Sequence, residues 1–133
     1  MWTMQSSFDS SAPGYPIPSI LTTQAMPVHS VAKVKFELIN SVGQWCLQLD
    51  AVSSVVSYGW HKSHLLPRLY YHDYPEDGFW EFEFLSYPPS ETVIQRLTTT
   101  SASLQWPDYH FYKNTLKGIR VIAATNQIEI RFD

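Results

Sequence analysis

A chain of 133 residues suits one domain and can bury a core without metal or disulfide staples. Lys and Arg number 9 against 12 Asp and Glu, charged residues make up 16%, and the net charge is −3, so the clustered cations of a nucleic-acid-binding surface are not expected. The single cysteine, Cys46, excludes an internal disulfide and fits a reducing compartment. No basic start or apolar leader opens the chain, so a cytoplasmic rather than a secreted location is expected, and no apolar run approaches the ~18 residues of a membrane helix.

Residues 1–30 are rich in Ser, Thr and Pro, and Pro13, Pro16, Pro18 and Pro27 oppose both a helix and a central strand. They read as an extended or disordered arm, with residues 31–133 as a single β domain. From residue 31 the hydrophobic period is two. Val34, Phe36 and Leu38 alternate with Lys33, Lys35 and Glu37. A loop over Asn40-Ser41-Val42-Gly43 would pair Ile39 with Gln44, Leu38 with Trp45, Phe36 with Leu47 and Glu37 with Cys46. Beside Glu37, Cys46 reads as an inert thiol rather than a nucleophile.

Residues 50–58 carry apolar side chains at a helical spacing (Ala51, Val52, Val55, Val56), although their Val and Ser content also permits a strand. Residues 69–84 read as a second hairpin around Pro75-Glu76-Asp77-Gly78, with Tyr74 opposite Phe79 and Leu69 opposite Phe84. This register sends Leu69, Tyr71, Trp80, Phe82 and Phe84 to one face, and Tyr70, His72, Glu81 and Glu83 to the other. Residues 90–106 read as a strand and 107–114 as a connecting loop. At the C-terminus, a turn at Thr125-Asn126 pairs Ile119 with Phe132 and sets Arg120 against Arg131, which calls for acids on a neighbouring strand.

Short strands separated by turn signals predict an all-β fold, an antiparallel β-sandwich or small β-barrel built from hairpins. The alternative is an α+β roll with one short helix near 50–58. Three functions fit. The first is a non-catalytic ligand-binding domain that recognises a carbohydrate or small apolar molecule through Tyr70, Trp60, Trp106, Tyr109 and Tyr112. The second is a small isomerase, cyclase or hydrolase. It would use Glu81 and Glu83, ~7 Å apart on one strand face, with His72 beside them as a proton carrier. Alternating Glu also marks the water side of a sheet, where Arg120 or Arg131 would complete a ladder. The third is a structural or interaction domain, since few charges and many rings suit a surface covered by a partner or a second copy of the chain. His61 and His64 lie three apart without the Cys or Glu companions of a zinc motif, and no nucleotide-binding glycine loop occurs, so neither a metal nor a cofactor is expected.

Overall fold

The computed structural model describes residues 24–70, 75–91 and 93–132. Its strands are β1 (Met26–Pro27), β2 (Ser30–Ser41), β3 (Gln44–Ser57), β4 (His61–Pro67), β5 (Phe79–Tyr87), β6 (Gln95–Trp106), β7 (Gly118–Ile122) and β8 (Gln127–Arg131). One helical turn, α1 (Tyr109–Tyr112), lies within the expected connecting loop at 107–114. The strands form two packed sheets, β2-β3-β6 and a second sheet centred on β5, so the architecture is a sandwich and not a closed barrel. Along one edge β5 pairs with β4; along the other it pairs with β7 and, further on, β1. Among the described residues only the β5–β7 pairing is parallel.

Burial follows the alternation. Trp80, Phe82, Phe84 and Ser86 of β5 face inward, while Glu81, Glu83, Leu85 and Tyr87 face outward. β3 does the same with Leu47, Leu49, Ala51, Ser53, Val55 and Ser57 inward. The segment 50–57 is therefore strand, not helix. Its alternation is hidden in the sequence because half of its inward side chains are serines. They fit a narrow end of the core, where hydroxyls bridge the sheets: Ser63 Oγ lies 2.9 Å from Ser86 Oγ and 2.7 Å from Thr100 Oγ1. The other end is aromatic. Ring centroids are 5.0 Å apart for Trp80 and Trp106, 4.7 Å for Trp80 and Tyr112, and 5.1 Å for Phe82 and Trp106.

The first and last hairpins keep their expected faces but shift their registers by two residues. In the first, Ser41 pairs with Gln44, so Leu38 faces Leu47, Phe36 faces Leu49 and Ile39 faces Cys46. The turn is the two residues Val42-Gly43, both at positive φ (52° and 80°), as a type I′ turn requires. In the last hairpin Ile119 faces Ile130 and Arg120 faces Glu129, which removes the expected arginine–arginine pair. Asn126 does not take a left-handed conformation. Its side-chain amide clamps β2 instead: Oδ1 accepts from Val31 N (2.8 Å) and Nδ2 donates to Val31 O (2.9 Å).

The middle hairpin turns as expected, with Gly78 N donating to Pro75 O and Gly78 at φ 79°. Its first strand, however, is β4, so Leu65 rather than Leu69 faces Phe84, and the expected sides of residues 69 and 70 are exchanged: Leu69 is exposed, while Tyr70 packs against the core. Tyr71, His72, Asp73 and Tyr74 lie outside the described residues. So does the arm up to residue 23; beyond it, Met26–Pro27 pairs with β5 and Val28 is fully buried.

Two substitutions test this account. Val42 is β-branched, exposed and left-handed, so Val42→Asn should raise stability by about 1 kcal/mol in urea unfolding. Gly118 sits between β5 and β8, where a Cβ would collide with the Ile130 carbonyl and the Phe79 ring. Because backbone cannot yield there, Gly118→Ala should cost about 3 kcal/mol by the same measurement.

Candidate functional site

The outer face of the β5 sheet carries Glu81 and Glu83, as the alternation requires. Glu81 lies between two cations on neighbouring strands. Arg120 of β7, directly opposite it, donates from Nη1 to Glu81 Oε2 at 2.8 Å, and Arg68, just past β4, reaches Oε1 at 3.1 Å. Arg120 also donates to Asp77 Oδ2 from Nη2 at 2.8 Å and to Glu129 Oε2 from Nε at 2.7 Å. One guanidinium thus ties the Pro75–Gly78 turn to β5, β7 and β8. The guanidiniums of Arg120 and Arg131 lie 5.4 Å and 5.2 Å from the Phe79 ring centroid, which buries that ring on the outer side of the sheet. Hydrogen bonds from Arg120 and from the Phe79 amide hold the Asp77 carboxyl below its ordinary range, and the Asp77 bond raises Arg120 above its own.

This arrangement is an ion-pair ladder. Both oxygens of Glu81 are engaged in ion pairs within the chain. Glu83 faces Leu66 and Ile122, with no ion-pair partner among the described residues. His72 falls outside the described residues.

The aromatic candidates go mainly to the core. Trp106 is 3% exposed and Tyr109 7% exposed, and burial raises the Tyr109 pKa. Tyr112 packs on Trp80 and Trp106. Tyr70 lies edge-on to Trp80 at 4.8 Å and packs against the core, and its pKa is raised by burial and then by the charge of Glu81. Trp60 is half-buried and donates from Nε1 to Ser57 Oγ at 3.1 Å. His61 and His64 lie on β4, their Nδ1 atoms bonded to the carbonyls of Gly59 and Lys62. Among the described residues no group of three or more His, Cys, Asp or Glu could hold a metal ion, and no helix is long and apolar enough to cross a membrane.

A different group of polar side chains meets on the outer face of the β2-β3-β6 sheet. Register aligns Lys35, Asp50 and Ser103 across the three strands, and Lys33, Val52 and Ser101 beside them. They line a half-open hollow of about 260 Å³. Ser103 Oγ donates to Asp50 Oδ1, and Gln48 Nε2 donates to the same oxygen at 3.5 Å. Lys33 and Lys35 have no ion-pair partner among the described residues. The alternation of β2 and β3 already puts Lys33, Lys35, Gln48 and Asp50 on one polar face. What sequence reasoning lacked was the place of β6, which supplies the hydroxyls.

Arg120→Gln should destabilise the protein by about 2 kcal/mol, more than an exposed pair contributes, because partly buried Glu81 loses its shorter cation contact. The pH dependence has a definite sign. A lowered folded pKa at Asp77 means that its contribution is complete above the unfolded value of ~3.9 and disappears as pH falls through the folded value. Acid unfolding of Asp77→Asn should lack that part of the decline. The chain matches no family model, no curated protein and no solved structure.

Proposed function

We propose that this chain is a non-catalytic binding domain that takes a small hydroxylated ligand, with the size and chemistry of a sugar, on the outer face of the β2-β3-β6 sheet. The observation that carries the reading is the hollow over Val52, where two ammonium groups, one carboxylate and two hydroxyls lie together. A lysine can only donate, an aspartate can only accept, and a serine does both. That mixture suits a ligand whose own hydroxyls donate and accept. Asp50 disfavours a phosphate by like charge, while Lys33 and Lys35 tolerate a sugar carboxylate. Val52 supplies an apolar patch for a ring face. Because the hollow is half open, affinity of roughly millimolar order is expected.

This reading moves recognition away from the aromatic residues, whose rings are largely occupied in packing. It asks for no acid–base chemistry, in keeping with the two arginines on Glu81. Amide NMR shifts during titration with a panel of neutral and acidic mono- and disaccharides would test it. At least one sugar should move resonances at 33–35, 50–52 and 101–103, and Asp50→Asn should weaken that binding about tenfold. A panel without shifts, shifts mapping elsewhere, or an Asp50→Asn variant that binds like the wild type would count against it.

A further inference from the structure

β2 is an edge strand. It pairs with β3 on one side, and on the other the clamp of Asn126 reaches only Val31. A bulge between Val31 and Lys33 bends the strand at that end, and the Val42-Gly43 turn closes the other. Among the described residues the stretch from Lys33 to Ile39 therefore presents an open edge, and Phe36 is its midpoint. The underside of this stretch is also incompletely covered. β2 and β3 span 12 and 14 residues, while β7 and β8 of the facing sheet span 5 each. The first hairpin overhangs the second sheet, where the Phe132 ring lies 5.0 Å from that of Phe36. Phe36 and Leu38, inward-facing by alternation, remain 39% and 40% exposed.

An open edge of this kind is a template for another strand. We propose that the occupant is β2 of a second copy of this chain, paired antiparallel about a two-fold axis through Phe36. Under such an axis residue i faces j and j faces i, and facing residues share a side of the sheet. The axis must therefore pass through a residue, and charge selects which. Centred on Lys35, the pairing sets Lys35 against its own copy; centred on Glu37, it sets Glu37 against its own copy. Centred on Phe36, it sets Lys35 opposite Glu37 of the second copy, and the symmetry repeats the pair. On the underside the same register places Phe36 against Phe36 of the second copy and Val34 against Leu38, covering the overhang's exposed apolar surface. Lys33 then faces Ile39, so the pairing runs the length of the open stretch and stops at the bulge and the turn. The centre fixed by geometry is the centre fixed by charge.

Sedimentation velocity on the full chain, over a wide concentration range, tests the proposal with substitutions at solvent-facing positions of β2. The wild type should dimerise. Lys35→Glu alone and Glu37→Lys alone should each weaken association roughly tenfold or more, since each puts two like-charged pairs across the axis. The double variant Lys35→Glu/Glu37→Lys should recover it. A wild type that stays monomeric, single variants that associate like the wild type, or a double variant that is not rescued would overturn the pairing. The outcome is separate from the ligand reading, because Asp50→Asn probes the hollow without changing β2.

Discussion

Trp80, Phe82 and Phe84 can be buried together only if the backbone that carries them is hydrogen-bonded on both edges, because unpaired amides in such a core are costly. That requirement organises much of the fold. β4 serves one edge of β5, and the other is divided between β7 and the short β1. Dividing an edge between two segments brings distant parts of the chain together. Val28 N donates to Phe84 O at 3.0 Å, and the same segment accepts the β7–β8 turn, through Ala124 N to Val28 O at 2.8 Å and Thr125 N to His29 O at 3.0 Å. The Asn126 clamp on Val31 extends this contact to the other sheet. The two layers are thus joined at this corner by backbone and amide hydrogen bonds as well as by apolar packing.

The all-β class and the sidedness of the first and last hairpins were legible because a period of two depends only on local residues. Registers were not. In the first and last hairpins the expected register differs from the observed one by two residues, and an even shift is required if the same side chains stay inward. Sidedness therefore could not choose between them; turn geometry and third strands did. Glu129 faces Arg120 because the same guanidinium also reaches Glu81 on β5 and Asp77 in the turn before it. No local pattern in residues 118–132 announces that arrangement. The stretch at 50–57 was ambiguous for another reason. Ser53 and Ser57 are as buried as the leucines of the same strand, and hydropathy does not mark a serine as inward.

The candidate site was hidden in the same way. Lys33, Lys35 and Asp50 are local to one hairpin and read correctly as its polar face. Ser101 and Ser103 come from β6, whose sequence resembles several other Ser/Thr-rich stretches. The aromatic residues misdirected attention for a physical reason: a small sandwich with narrow serine packing at one end needs large rings to fill the other, and Trp80, Trp106 and Tyr112 do so.

Low charge content makes the placement of each charge informative. On the β5 sheet, Arg68 and Arg120 are matched by Asp77, Glu81 and Glu129, and the pairs connect successive elements of one layer. On that face Glu83 lacks such a partner among the described residues, but most charges are satisfied from within. On the β2 strand the charges alternate along an open edge, and Lys33, Lys35 and Glu37 have no ion-pair partner among the described residues. Partnered charges on the β5 sheet hold strands together within the chain. Charges on the β2-β3-β6 sheet that lack an ion-pair partner among the described residues, beside a hollow and along the edge of β2, retain their capacity to engage something outside it. The physical asymmetry between the two layers is therefore the reason to seek recognition on the β2-β3-β6 side, although the aromatic and acidic richness of the sequence lies on the other.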